Sequence, residues 1–179
     1  MDKTLFKKTG NQNGMLLGIV GVVISLIFWI LDLDYETQQN FQWLGIIPTI
    51  IFMVVAIRYY KANSKGFIAF GDAFKLGLRV VAIAAIFNTA FMLLYTTVLH
   101  PNYQDDIIEA SLEKMEEQGV PDEGIDMAIS ITEKMTSPFG MVAIGLFSFI
   151  FMGLIFSLII SAIMKKNNPY PLDETLDGE

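Results

Sequence analysis

The chain has 179 residues, of which 53% are hydrophobic and only 17% charged, with a mean hydropathy of +0.50. A soluble domain carries about 25% charged residues, so this composition excludes an ordinary water-soluble fold. The formal net charge of −7 argues against a nucleic-acid partner, and the absence of cysteine excludes disulfides, thiolate nucleophiles and Cys-ligated metals.

The apolar residues gather into four blocks. The first follows an arm holding Lys3, Lys7 and Lys8 and covers residues 15–31, MLLGIVGVVISLIFWIL, without a charge. A hydrocarbon core about 30 Å thick needs about 17–25 helical residues, and lipid cannot satisfy open backbone groups, so each block is expected to be a helix. A cleaved signal peptide has a shorter apolar core, about 7–15 residues. This block also ends in Asp32-Leu33-Asp34 with no small-x-small site, so it reads as an uncleaved anchor. Gly14, Gly18, Gly21 and Ser25 follow a four-three-four spacing along it, which lets another helix backbone come close.

The second block, 43–57, reads WLGIIPTIIFMVVAI and reaches spanning length only with Phe41, Tyr59 and Tyr60. Pro48 leaves the Leu44 carbonyl without its helical donor and predicts a kink. The connection over 58–79 holds Arg58, Lys61, Lys65, Lys75 and Arg79.

Within that connection lies GFIAFGDAFKLG, residues 66–77. As a helix it places Phe67, Phe70, Phe74 and Leu78 on one face and turns Asp72 and Lys75 away. Such an elbow can lie at the headgroup boundary as a candidate lipid or partner site, with Arg79 snorkelling back to the phosphates. The plainer reading is an N-terminal extension of the third span packed on its neighbours. Gly66, Gly71 and Gly77 predict a bend, since glycine disfavours a straight helix.

The third block, 80–99, carries Asn88 near its middle, which is expected to hydrogen-bond a neighbouring helix. His100 stands at its outer end. No Asp, Glu, Lys, Arg or His lies deep in any block, so the buried ionisable groups of proton relays are missing.

Residues 100–138 carry ten acids against Lys114 and Lys134. Ile107, Ile108, Leu112 and Met115 form one helical stripe, and Ile125, Ala128, Ile129 and Thr132 a second, with Gly119 and Pro121 between them. A short acidic helical hairpin is expected. Asp105, Glu109 and Glu113 share a face, but no calcium-loop spacing accompanies them, so a solvated face is expected and no metal site. Ser137 and Pro138 suit the start of the fourth block, 139–164, in which Gly153, Ser157 and Ser161 recur every four residues. The small residues of the first and last blocks predict close packing, either within one bundle or between two copies. The tail after Lys166 has two prolines and four acids and is expected to be mobile.

Ten of the twelve basic residues lie in the N-terminal arm, in 58–79 and at Lys165-Lys166. Positive charge is retained on the cytoplasmic side, so both termini and 58–79 are expected in the cytoplasm, with 32–40 and 100–138 outside.

The GFIAFGDAFKLG segment between a second and third span resembles the domain-of-unknown-function family numbered 4199. So do LEKMEEQGVPDEGIDMAISITEKMTSP and the terminal LIISAIMKK. The resemblance covers nearly the whole chain. It implies a small four-helix protein of a bacterial inner membrane, of a kind common in Bacteroidetes, and assigns no residue a role.

The expectation is an all-α integral membrane four-helix bundle with an acidic extramembrane hairpin between helices 3 and 4. It forms a single domain with spans at about 14–31, 41–60, 76–99 and 139–164, an outer segment over 100–138 and a mobile tail over 167–179. No metalloprotease, phosphate-loop or nucleophile-elbow motif is present. Neither an enzyme nor a cofactor is therefore expected. The leading functional reading is a scaffold or accessory subunit whose partners are membrane lipids and a second copy or another membrane protein. The alternative is a small permease or lipid-handling protein, which requires a cavity between the helices.

Overall fold

The computed structural model describes residues 2–33, 35–41 and 43–167, and the fold is all-α. In chain order the helices are α1 (Lys3–Ile30), α2 (Tyr35–Asn40), α3 (Trp43–Asn63), α4 (Phe70–Leu94), α5 (Tyr103–Glu117), α6 (Asp122–Thr136) and α7 (Pro138–Met164). A π-helical turn, Tyr95–Leu99, extends α4. Among the described residues four helices are long and apolar enough to cross a membrane: α1, α3, α4 with its π turn, and α7. The expected mobile tail lies, apart from Asn167, outside the described residues.

Local chemistry sets the ends. α1 begins at Lys3, well before the span expected from 14, because the Asp2 carboxylate accepts the Thr4 and Leu5 amides at 2.9 and 3.0 Å. Ser137 Oγ caps α7 by accepting from the Gly140 amide at 3.1 Å, with Pro138 at the first position. α3 stays one helix through Pro48, and Thr49 Oγ1 donates to the Gly45 carbonyl at 2.8 Å one turn earlier.

α4 is the central strut, with α1 and α7 packed on different faces of it and α3 touching all three. The small residues make this possible. A Cβ added at Gly14 would meet the Val80 carbonyl and Ile83, and one at Gly18 would meet Phe87. On the other face Gly153 lies against Val81, and Ser157 Oγ lies over Gly77 and donates to the Phe74 carbonyl at 2.8 Å. Both small-residue patterns therefore serve packing within the chain, and each meets α4 rather than the other. Lipid tails are as apolar as leucine, so helix association rests on close van der Waals contact, which small residues permit.

Two expectations at the elbow are corrected. Phe67 lies outside the helix, which starts at Phe70 after Ala69, so the three phenylalanines do not share one helical face. The cause is a turn with Lys65 at φ 55° and Gly66 at φ 80°, which sends Ile68 into the core to pair with Lys166. The Ile68 amide donates to the Lys166 carbonyl at 3.0 Å and the Lys166 amide returns the bond at 2.9 Å. Lys166 Nζ also sits 5.5 Å from the Phe67 ring centre. Phe70 and Phe74 do stack, with ring centres 6.3 Å apart, and Asp72 stands in the first turn of α4. Arg79, expected to snorkel, instead lays its stem on Gly10 and donates through Nε to Asn11 at 2.9 Å. The Gly71 site has no neighbour that would crowd a Cβ.

The buried residues of the long helices are confined almost wholly to the end that carries the start of α1 and the end of α7. They include Phe6 and Leu17 of α1, Met53 and Ile57 of α3, Leu76 and Val81 of α4, and Ile160 of α7. Lys61 Nζ, donating to the Met164 carbonyl at 3.0 Å, ties α3 to the end of α7. The basic end is thus closed and cross-tied, and the other end is different.

Candidate functional site

Beyond Ala85 burial in the long helices falls away, although α1 still touches α4 through Gly18–Phe87 and Gly21–Asn88, and a two-lobed cavity opens at the end bearing α2, α5 and α6. The larger lobe has a volume of about 650 Å³ and the smaller about 270 Å³. Ser25, Phe28, Gln38, Asn88, Tyr103 and Phe149 line both, so the two lobes adjoin across these shared residues. Pockets for small ligands commonly run from about 300 to 1,000 Å³, mostly apolar with a few placed polar groups. This cavity has that character.

Its walls come from every layer of the fold. α3 brings Gly45, Pro48 and Thr49 to the smaller lobe, while Thr89, Met92 and Tyr95 face the larger from α4 and its π turn. α7 contributes Met141, Ile144 and Gly145. The roof is the α5–α6 pair, through Ile107 and Ser111 of α5 and Thr132, Met135 and Thr136 of α6. The two helices pack on each other across the turn at Gly119, and α2 packs on α5 while α6 packs on α7.

The roof is held by a polar and aromatic pin where the π turn ends. Tyr95 is buried, and its ring meets His100 edge-on at 5.8 Å and Tyr103 at 5.3 Å. The Tyr95 hydroxyl is 3.2 Å from His100 Nδ1, and the opposite ring nitrogen, Nε2, is 3.0 Å from Asp106 Oδ2 in the first turn of α5. The π turn and the first turn of the roof are therefore joined through one imidazole. Gln38 of α2 reaches the Tyr95 side chain and donates through Nε2 to the Leu33 carbonyl at 2.7 Å.

Asn88 donates to the Ala84 carbonyl of its own helix at 2.9 Å and rests on Gly21. That corrects the expected bond to a neighbouring helix. A four-residue step back along a helix brings a carbonyl within reach of a carboxamide, and the facing residue, glycine, has no side-chain acceptor to offer. Gly21, Ser25 and Asn88 thus border the cavity, whereas Gly14, Gly18, Gly153, Ser157 and Ser161 belong to the packed end. The elbow residues Phe67, Phe70, Asp72, Phe74 and Arg79 also belong to that end and share nothing with the cavity.

Gln38, Thr89, Tyr95, Tyr103, Ser111 and Thr132 were not singled out as site residues by the sequence. The signal available was a band of neutral polar residues at one depth, Ser25 with Asn88 and Thr89, facing polar breaks in the stripes of α5 and α6. Among the described residues no three His, Asp or Glu side chains gather to hold a metal, and Asp105, Glu109 and Glu113 are exposed along α5.

Comparison with the curated proteins and with the solved structures finds no match. The profile of one family, described as a protein of unknown function (DUF4199), matches residues 12–166, which takes in nearly all of the four long helices, the elbow and the roof. This chain is a membrane protein belonging to the DUF4199 family.

Proposed function

We propose that the protein binds a membrane-derived amphiphile in the cavity beneath α5 and α6, and acts as a small permease or lipid-handling protein rather than as an enzyme. The observation that carries this reading is the contrast along one bundle. The basic end is packed to exclusion, and the acidic end holds an apolar cavity with a few neutral polar groups. A purely structural bundle has no use for such a gap, because each lost contact weakens helix association.

The proposed setting is a bacterial cytoplasmic membrane with both termini in the cytoplasm and the acidic α5–α6 hairpin outside it. The concentration of Lys and Arg at the closed end supports that orientation. The cavity then opens in the outer leaflet, and membrane lipids are the immediate partners.

A scaffold role, with a second copy or another membrane protein as partner, is favoured by one separate feature. Met127 and Ile131 stand exposed one turn apart along α6, an apolar pair at the spacing of a recognition face.

Native mass spectrometry of protein released directly from its own membranes tests the two readings together. A monomer carrying one stoichiometric small molecule is the result expected. A bare chain retained only with a protein partner would replace the ligand-binding reading with the scaffold.

A further inference from the structure

We infer that the cavity takes an uncharged amphiphile, one with an apolar chain and a hydroxyl or carbonyl head. This names the ligand class of the same site and rests on the ligand-binding reading above. The observation is the chemistry of the lining. Neither lobe is lined by an Asp, Glu, Lys, Arg or His among the described residues. Its polar groups are hydroxyls and carboxamides, chiefly Ser25, Gln38, Asn88, Thr89, Ser111 and Thr132.

A charged head placed among these groups would lose its water and gain no counter-ion, which is costly for either sign. The surroundings discriminate further against anions. Asp105, Glu109, Glu113, Glu116 and Glu117 are exposed on α5, and Glu123, Asp126 and Glu133 on α6, against Lys114 and Lys134, so the solvent face of the roof is negative. Asp106, the acid nearest the pin, is 3.0 Å from His100 Nε2 and lies outside both lobes. The main clusters of Lys and Arg belong to the opposite end of the bundle, where Lys61 reaches Met164 and Arg79 reaches Asn11.

A neutral head loses little on the same transfer. Asn88 uses one amide hydrogen on Ala84, and its carboxamide has further hydrogen-bonding capacity at the meeting of the two lobes. Phe28, Phe91, Met92 and Phe149 supply apolar wall for the chain.

Three single-chain probes separate the possibilities. Delipidated full-length protein in a neutral detergent is titrated with 1-oleoylglycerol, with 1-oleoyl-glycerol-3-phosphate, and with oleyltrimethylammonium. Bound adducts are counted by native mass spectrometry. The first two share chain and glycerol and differ by one phosphate. The neutral probe is expected to bind at least about tenfold more tightly than either charged one. Its binding should fall at least about tenfold in Gly145→Leu, which adds a bulky side chain at a position lining the larger lobe.

Equal or tighter binding of the phosphate or ammonium probe would overturn the uncharged assignment while leaving a ligand-binding cavity in place. Unchanged binding to both Gly145→Leu and Gly45→Leu, with the variants folded by their melting curves, would place the ligand elsewhere and overturn it too. Binding of none of the three would defeat the ligand-binding reading itself.

Discussion

Asn88 rests directly on Gly21, its Nδ2 lying 2.9 Å from where a Cβ at residue 21 would stand. Two turns nearer the N-terminus, a Cβ at Gly14 would lie 2.7 Å from the Val80 carbonyl oxygen and 2.7 Å from Ile83 Cβ. The α1–α4 contact thus changes along its length from backbone against backbone to backbone against a side-chain tip, at the level where the cavity begins.

That change is measurable. Gly14→Ala pushes on backbone that cannot yield without moving a helix, and it is expected to cost about 1–3 kcal/mol. Gly21→Ala pushes on a carboxamide that can swing into the cavity, and it should cost less than about 1 kcal/mol. Thermal unfolding of both variants in one detergent checks the ordering. Equal losses would mean that the packing is uniform along α1.

At the elbow the residue that matters for stability is Ile68 rather than the phenylalanines around it. Ile68 is 3% exposed and Phe70 is 38% exposed. Ile68→Ala should cost about 2–4 kcal/mol by leaving a cavity in the packed end. Phe70→Ser should stay within about 1 kcal/mol. A larger loss from Phe70→Ser in the same melts would show that the elbow is a structural element throughout.

Gly45 and Gly145 line the smaller and larger lobes, and a Cβ at either would meet nothing within 4 Å. Gly45→Leu and Gly145→Leu are therefore expected to leave the melting temperature nearly unchanged while removing the co-purifying small molecule. Native mass spectra of protein taken from its own membranes decide this. Retention of the same adduct in both variants would rule out the cavity as its seat.

The chain has no cysteine, so single-cysteine labelling has no background. With the acidic end outside, Glu113→Cys on exposed α5 should react with a membrane-impermeant maleimide in intact spheroplasts. Ala62→Cys, exposed at the end of α3, should react only after lysis. The opposite pattern would invert the proposed orientation.

The imidazole link between Tyr95 and Asp106 is half exposed, with side-chain exposures of 38% for His100 and 46% for Asp106. Pairs in such surroundings contribute about 0–1 kcal/mol. Asp106→Ala should therefore barely move the melting temperature. It should, however, raise the labelling rate of Thr132→Cys in the roof, since it removes the tie between the π turn and α5. An unchanged rate would mean that the helix pair is held by its apolar contacts alone.

The sequence by itself determined the four long helices, the start of the last of them and the basic and acidic poles. Each of these comes from local rules. Lipid forces an apolar run into helix, Ser137 caps α7, and charge cannot enter the blocks. The start of α1 at Lys3 rather than near 14, set by the Asp2 cap, is legible only in the structure. The stripes of α5 and α6 were legible from a local rule too, because one packed and one exposed face impose a period. Within the membrane blocks that signal is lost. A side chain facing lipid and one facing a neighbouring helix are equally apolar, so the pattern does not say which helix meets which. Only the tertiary structure placed α4 between the two small-residue ladders, moved Phe67 off the helix by pairing Ile68 with Lys166, and turned Asn88 back on Ala84. The cavity belongs to the same class of fact. It arises from gaps left between helices, and a space bordered by residues from every helix of the fold has no local signature in any one of them.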